Sequence, residues 1–301
     1  MFNKILGNKK NRSLHLMILP AVVLVFIFVY VPLFGNVMAF QNYIPSKGIF
    51  RSEWVGLDNF IFLFSLPNFW QVIFNTFYIS LMKIVACIVI PVIFALMLNE
   101  VRMYWLKSVV QTSVYLPHFL SWVIMAGILI DILSPADGVI SMLLGKLGVQ
   151  MPFLLGDPKL FPYTMVLTDL IKEFGFESIV YLAALSAIDP TLYEAASVDG
   201  ANRWKKTWHI TLPSLIPIIT LMTTLSMGYV FTAGFDQIFN MLNPNVMQTG
   251  DILDTFIYRL GFLGVQYSIA TAAGIFKTVV SFIFIAVSYK IASKYLGYEV
   301  F

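Results

Sequence analysis

Long apolar runs alternate with shorter polar segments along this chain. A helix needs about 20 mostly apolar residues to cross about 30 Å of hydrocarbon. The first run has no charged residue and exceeds the apolar core of about 7–15 residues found in a secretory signal peptide, so we interpret it as a retained helix. The pattern predicts six transmembrane helices: Leu14–Phe40, Val72–Leu98, Val109–Leu133, Phe161–Ile188, Ser214–Gly234 and Ser268–Tyr289.

The composition supports a membrane protein. Hydrophobic residues make up 59% and charged residues 12% of the chain, whereas a soluble domain has about 45–50% and about 25%. The formal charge of +3 is small and its basic residues are dispersed, which argues against nucleic-acid binding. We therefore predict an all-α integral membrane protein with one membrane domain.

Lys and Arg side chains indicate the orientation. The side with both termini and the loops at 99–108 and 189–213 holds 11 of them, and the other side holds 5. Because basic residues favour the cytoplasm, we expect a multi-pass membrane protein with both termini cytoplasmic. We expect a cytoplasmic tail (1–13), a first helix with its outer loop (14–71), the main transmembrane domain (72–290) and a cytoplasmic C-terminal tail (291–301).

Catalytic motifs are missing from the sequence. Cys87 is the single cysteine, the three histidines are far apart, and no phosphate-binding, serine-hydrolase or zinc-protease motif occurs. We expect no catalytic residue, no metal site and no cofactor in this chain, so any energy from ATP has to come from another subunit.

The cytoplasmic loop at 189–213 is the most informative segment. Asp189 is a good N-cap and Pro190 a good first helical residue, so a short helix should run to Asp199. Gly200 then allows a bend, and a second short helix is expected at Ala201–Trp208. We expect a first face that enters a groove of a partner protein and a second face, formed by two tryptophans, that packs beneath the membrane helices. The alternative is an amphipathic linker. The two faces are Leu192, Ala195, Ala196 and Asp199, and Trp204 and Trp208.

This loop resembles the EAA loop of type I ABC importer permeases. The resemblance rests on the segment Glu194–Ala201, with its E-A-A and glycine, followed by Ile210–Pro213 with its I-x-L-P pattern. The preceding segment from Gly175 to Pro190 resembles the carbohydrate-uptake branch. The ending Lys294–Phe301 is similar to the first permease of such two-permease systems.

The resemblance implies the six-helix transmembrane domain of a type I importer in the bacterial cell membrane. It also implies a second permease chain, two ATPase subunits that carry ATP and Mg²⁺, and an extracytoplasmic solute-binding protein that delivers a carbohydrate. Glu194 would contact the ATPase, Ala195 and Ala196 would enter its groove, and Gly200 would set the bend. The implied ATPase-coupling residues are Glu194, Ala195, Ala196, Asp199, Gly200, Ala201, Leu212 and Pro213.

The fourth predicted span carries four charges. Asp169, Glu173 and Glu177 are four residues apart and share a helix face, with Lys172 beside it. A charge at the bilayer centre costs at least ~2.5–3.5 kcal/mol, so these groups should avoid lipid. They either form part of a substrate path, or pair within the span, or lie at the outer interface. Lys83 and Lys277 either pair with these acids or reach an interface.

We expect sugar to contact charged and aromatic side chains near this span. The candidates are Lys172, Glu173, Phe174, Glu177, Tyr181, Tyr115, Trp122 and Lys83. The expected cargo is an oligosaccharide or polysaccharide fragment. Alternatives are the same machine for another solute such as glycerol phosphate, or an ion-coupled secondary transporter, whose usual inverted repeat is not seen. An intramembrane enzyme is a further rival, and it would need a reactive constellation that the sequence lacks.

Overall fold

The computed structural model describes the backbone of residues 9–296. Lys4 of the predicted N-terminal tail and Gly297–Phe301 of the predicted C-terminal tail lie outside the described residues. The chain divides into two compact units. One comprises the described residues up to Leu66 together with Ile257–Phe276, and the other comprises Pro67–Phe256 together with the described residues from Lys277 onward.

The first unit begins with a long helical segment. Its parts are α1 (Lys9–Val25), a π turn (Phe26–Tyr30), α2 (Val31–Leu33) and a 3₁₀ turn (Phe34–Phe40). Every side chain from Leu14 to Phe34 is exposed, as expected for a helix with an apolar surrounding. A small antiparallel hairpin follows, with two short helices. These are β1 (Gln41–Asn42), α3 (Gly48–Arg51), β2 (Glu53–Trp54) and α4 (Asp58–Ser65).

The second unit holds most of the remaining helices. In chain order they are α5 (Phe69–Asn99), α6 (Tyr104–Tyr115), a 3₁₀ turn (Leu116–Phe119), α7 (Trp122–Ile132), α8 (Val139–Lys146), α9 (Phe161–Ser186), α10 (Pro190–Val198), α11 (Arg203–Lys206), a π turn (Thr207–Thr211), α12 (Leu212–Met227), α13 (Phe235–Met241), a 3₁₀ turn (Pro244–Val246) and α14 (Met247–Gly250). The chain continues with α15 (Leu253–Tyr258), a π turn (Arg259–Leu263) and α16 (Tyr267–Leu296). Of these, the π turn and the part of α16 up to Phe276 belong to the first unit.

Four helices of the described part are long and apolar enough to cross a membrane, or five if one bent pair counts as a span. The four are Leu14–Phe40, Phe69–Asn99, Arg203–Met227 and Tyr267–Ile291. The fourth predicted span forms α9, whose 26 residues extend about 39 Å. It has the length to cross, but its four charges make it less apolar than the others. The predicted helices at these five places are therefore present.

The third predicted span, Val109–Leu133, is not one helix. α6 and its 3₁₀ turn end at Phe119, and α7 starts at Trp122 after a bend of 107°. Pro117 lies in the 3₁₀ turn, and Leu120 and Ser121 are extended. Ser121 then caps α7 by accepting a hydrogen bond from the Ile124 N–H. The prediction of a continuous span was wrong because apolar residues flank the break on both sides, and hydropathy does not show where the backbone leaves the helix.

The fifth predicted span, Ser214–Gly234, has different ends. The helix ends at Met227, and residues 228–233 are unwound before Gly234, whose φ is +91°. At its other end, α11, the π turn and α12 form one uninterrupted helical segment, Arg203–Met227. The separate second helix predicted at Ala201–Trp208 was therefore wrong, since the π turn carries the helix through into the membrane segment.

Helices α5 and α9 form the centre of the second unit. Buried residues recur every three or four positions on each, the spacing of one helix face. Both helices also bury polar residues, which are Ser80 and Lys83 on α5 and Thr168 and Lys172 on α9. Lys83 Nζ lies 3.3 Å from Asp169 Oδ1, so the contact between the two helices includes charged groups described below.

Gly175 lets α9 approach α6 closely. A Cβ at this position would lie 2.4 Å from the Val114 carbonyl oxygen, so Gly175→Ala is expected to destabilise the fold by about 1–3 kcal/mol. Thermal unfolding of the purified protein in detergent measures the loss. Gly127→Ala in α7 is the matched control, since nothing lies within 4 Å of its added methyl group. Equal midpoints for the two variants would contradict the close approach.

Candidate functional site

The short helix in the 189–213 loop forms where its sequence predicts it. The Asp189 carboxylate accepts a hydrogen bond from the Thr191 N–H at 2.9 Å, and Pro190 is the first helical residue. This backbone hydrogen bond holds the pKa of Asp189 below its ordinary value. The cap and the proline together fix the residue at which α10 begins.

A glycine-dependent turn ends α10. Gly200 has a φ of +75°, its N–H donates to the Ser197 carbonyl, and the Ala201 N–H donates to the Ala196 carbonyl at 2.8 Å. These two bonds define a Schellman motif, which needs a residue in the left-handed conformation. The predicted bend at Gly200 is confirmed.

Most of the predicted coupling residues lie on an open surface. Glu194, Ala195, Asp199, Gly200 and Pro213 are exposed, whereas Ala196, Ala201 and Leu212 are half-buried. The tryptophans were expected to pack beneath the membrane helices, but Trp204 is 74% and Trp208 61% exposed. That expectation was wrong for this chain alone, because both rings project from the outside of the helical segment Arg203–Met227.

A polar cavity of about 250 Å³ lies between α5, α9 and the end of α12. Its charged lining residues are Lys83, Asp169 and Glu177, and Cys87 lies beside them. The rest of the polar lining consists of the hydroxyl groups of Ser80, Ser226, Tyr229 and Thr232. Such a mixture of hydroxyl and charged groups can donate hydrogen bonds to, and accept them from, a hydroxylated ligand.

Lys83 organises one wall of the cavity. Its Nζ lies 3.3 Å from Asp169 Oδ1 and donates to the Ala233 carbonyl at 2.8 Å and to Gln237 Oε1. Gln237 in turn donates to the Met165 carbonyl at 2.8 Å. Lys83 thereby joins α5 to α9 and to the unwound segment after α12. Of the two alternatives for Lys83, pairing with an acid of the fourth span is confirmed.

Two buried polar atoms at the cavity have no hydrogen-bond partner in the described part of the chain. They are Ser80 Oγ and Glu177 Oε2. Buried polar atoms normally have partners, so an unpaired donor and acceptor in one cavity suggest that a ligand or water supplies them. Either partner fits the cavity, since a water molecule needs much less space.

A second charged cluster lies at the bend between α6 and α7. Lys172 Nζ donates to Glu173 Oε1 and to the His118 carbonyl, each at 2.8 Å. Glu173 Oε2 lies 2.6 Å from His118 Nδ1. The His118 ring stacks on Phe176 at 3.8 Å, and Lys172 lies 5.4 Å from the Trp122 ring centre. Of the alternatives for these charges, pairing within the span is found for Lys172 with Glu173. The pair also holds the segment between α6 and α7 against α9.

The other predicted sugar-contacting residues lie outside the polar cavity and the second charged cluster. Phe174 packs edge-on against Phe94, and the Tyr115 hydroxyl accepts a 3.3 Å hydrogen bond from Gln111. Tyr181 is buried in an apolar cluster with residues such as Leu215. Lys277 pairs with Asp254 at 2.6 Å, so the alternative in which it pairs with an acid of the fourth span was wrong.

Several site residues escaped the sequence analysis. Gln237 and His118 make the most bonds among them, and Ser226, Tyr229 and Thr232 supply hydroxyl groups. Their positions in the sequence gave no sign of this role, since each meets its partners only through the fold. In the described residues no group of three or more His, Cys, Asp or Glu side chains is arranged to hold a metal ion.

Comparison with known proteins identifies the family. The model of the family described as binding-protein-dependent transport system inner membrane component matches residues 87–296. This chain belongs to that family. The expectations of a type I importer fold and of a permease that is not itself an enzyme are confirmed by this membership.

Relatives of known name cover nearly the whole permease. It is 38% identical to the polygalacturonan/rhamnogalacturonan transport system permease protein YteP of Bacillus subtilis (strain 168), over 95% of this chain and 89% of that protein. It is also 38% identical to protein LplB of the same organism, over 95% and 90%. The permease is thus a multi-pass membrane subunit, and these two relatives match it over 95% of the chain.

Two solved transporter structures have the same fold as this permease. The fold matches a bacterial ABC transporter involved in the import of the acidic polysaccharide alginate, with a TM-score of 0.88, 38% identity and coverage of 95% of this chain and 97% of that one. A second structure of the bacterial alginate transporter, in complex with an alginate pentasaccharide-bound periplasmic protein, matches with a TM-score of 0.87, 38% identity and coverage of 96% of each chain.

Proposed function

We propose that this permease forms, with a second permease chain, the path by which an oligosaccharide or polysaccharide fragment enters the cell. The observation that carries the proposal is the 38% identity to YteP and to the alginate transporter chain over 95% of this sequence. An extracytoplasmic binding protein delivers the sugar, and two partner ATPases bind ATP and Mg²⁺. Both termini and the 189–213 loop then face the cytoplasm, in agreement with the distribution of Lys and Arg.

In this proposal α10 is the coupling helix. Its exposed residues, including Glu194 and Ala195, enter a groove of the ATPase, and the small alanine side chain allows close approach. The open surface of α10 and its rigid ends support this role. Closure of the ATPase dimer on ATP moves α10 and changes the side from which the sugar path is open.

The cavity and the second cluster form part of the sugar path. Ser80 and Glu177 have polar atoms without partners, and Ser226 and Tyr229 add hydroxyl groups. Near them, the Phe176 and His118 rings make an aromatic face of the kind on which a sugar ring packs.

Glu177→Gln tests the path. The amide keeps the size but removes the negative charge from the acceptor. The KM for sugar uptake is therefore expected to rise by about tenfold or more, because a hydrogen bond to a charged group contributes about 1.5–3 kcal/mol. Uptake is measured in proteoliposomes that contain the complete complex. Asp137→Asn is the matched control, because this exposed carboxylate lies in the loop before α8. An unchanged KM for Glu177→Gln would exclude Glu177 from the path.

The cargo itself is tested first. The binding protein that works with this permease is mixed with neutral oligosaccharides, uronate oligosaccharides and glycerol phosphate, and its melting temperature is recorded. A sugar that stabilises it should then be taken up by the reconstituted complex in an ATP-dependent way. Uptake of glycerol phosphate alone, or uptake without ATP, would refute the proposal.

A further inference from the structure

A closed ring of hydrogen bonds connects α10 to the start of α12. Lys206 Nζ donates to Ser197 Oγ at 2.6 Å, and Ser197 Oγ donates to the Tyr193 carbonyl at 2.6 Å. The Tyr193 hydroxyl lies 2.9 Å from Thr211 Oγ1, and Thr211 Oγ1 lies 3.4 Å from the Lys206 carbonyl. Because that carbonyl can only accept, Thr211 donates to it and Tyr193 donates to Thr211.

The π turn makes this ring possible. Thr211 reaches the carbonyl five residues earlier, which is the spacing of the π turn Thr207–Thr211. Thr211 is buried and Tyr193 half-buried, so the Tyr193–Thr211 bond is shielded from water more than its neighbours at the surface. A shielded bond is stronger than the exposed Arg203–Glu100 contact of 3.4 Å, which contributes little to holding the loop.

α10 has no comparable attachment to the helix that precedes it. In the described chain no side-chain hydrogen bond or ion pair joins α9 to α10, and Asp189 between them is extended. A change in the angle between α9 and α10 at Asp189 therefore breaks no side-chain bond between these two helices. On its other side, α10 is held to α12 by the bonds of the ring.

The hydrogen-bond ring lies at one end of a helix whose other end borders the polar cavity. From Thr211 the helix continues to Met227, and Ser226 on its last turn lines the polar cavity. The 16 residues from Thr211 to Ser226 span 15 helical steps, or about 22 Å. A displacement of α10 that is passed to Thr211 consequently reaches the cavity wall through one helix.

We propose that the Lys206–Ser197–Tyr193–Thr211 ring makes α10 and α12 move as one body, so that Tyr193 and Thr211 transmit the force of ATP hydrolysis to the cavity. The inference rests on the proposed function, in which α10 is the coupling helix. It adds the positioning residues that carry the motion and the helix to which it passes.

The test compares Thr211→Val with Thr211→Ser in proteoliposomes of the complete complex. Valine keeps the size and removes the hydroxyl, so the number of sugar molecules imported per ATP hydrolysed is expected to fall at least about fivefold, while ATP hydrolysis continues. Tyr193→Phe should have the same effect, and the double variant should add nothing further. Thr211→Ser should restore the ratio, and Ser214→Ala, which removes a hydroxyl bonded within the same helix, should leave it unchanged.

A distance measurement shows whether the ring couples the motions of α10 and α12 or only stabilises the fold. Spin labels at Val198 and Ile216 report α10 against α12, and labels at Val198 and Ile179 report α10 against α9, with Cys87→Ala removing the native thiol. On ATP binding the first distance should stay constant and the second should change. The reverse result, or an unchanged import ratio in both Thr211→Val and Tyr193→Phe, would overturn the proposal. Absence of ATP-driven uptake by the unaltered complex would instead refute the proposed function.

Discussion

Gly200→Val is expected to lower ATP-driven sugar uptake by about tenfold or more while the permease still inserts and assembles. Gly200 has a φ of +75°. A residue with a Cβ pays about 1–2 kcal/mol to adopt this conformation, and a β-branched residue is among the worst. Since every 1.4 kcal/mol is a factor of ten, the population with a correctly closed α10 falls accordingly.

The expected loss of uptake in Gly200→Val comes from backbone strain and not from a steric clash within this chain. Nothing lies within 4 Å of a Cβ built on Gly200, so a larger side chain meets no atom of this chain. Gly200→Asn is the matched control, because asparagine tolerates the left-handed conformation and should retain most of the uptake. Uptake and ATP hydrolysis are measured side by side in proteoliposomes. Equal loss with Asn and Val would point to a clash with the ATPase instead of backbone strain.

The short helix α10 was predictable because its signals are local. An Asp N-cap, a Pro at the first position and a Gly after the end act within a few residues, and each is found in its expected role. The long apolar helices were predictable for a similar reason, since length and hydropathy alone identify them.

The breaks in the spans were not predictable from hydropathy. Apolar residues flank the bend at Leu120 and Ser121, and apolar residues continue past Met227 where α12 ends. Hydropathy averaged over a window of apolar residues does not change at the residue where the backbone leaves the helix. The π turn at Thr207–Thr211, which fuses the second predicted loop helix to α12, is invisible in the same way.

The cavity could be predicted only in part. The spacing of Asp169, Glu173 and Glu177 indicated a polar face on α9, and the cost of charge in lipid required it to be covered. The partners could not be assigned, because they lie far away in the sequence. Lys83 bonds to Gln237 across 154 positions, and His118 meets Glu173 across 55. A single sequence contains the groups but not their pairing.

Lys83→Met is expected to destabilise the permease by about 3–5 kcal/mol, the cost of removing one partner of a buried ion pair. Methionine fills the space of the lysine stem but leaves the Asp169 carboxylate, the Ala233 carbonyl and Gln237 Oε1 without their donor. The Asp169 side chain is only 18% exposed, so water replaces the lost ammonium poorly. The loss appears as a lower thermal unfolding midpoint of the detergent-purified complex and as less folded protein in the membrane.

The double variant Lys83→Met/Asp169→Asn shows whether the unpaired charge or the lost anchoring of the unwound segment dominates. Asparagine removes the isolated negative charge, so the midpoint should recover by more than half if the charge is the main cost. Uptake should nevertheless remain low, because Ala233 and Gln237 are still released and the hydroxyl groups of Tyr229 and Thr232 lose their positions. An unchanged unfolding midpoint in Lys83→Met would mean that the helices alone hold the cavity wall. Recovery of both uptake and midpoint in the double variant would show that Lys83 stabilises the bundle without shaping the sugar path.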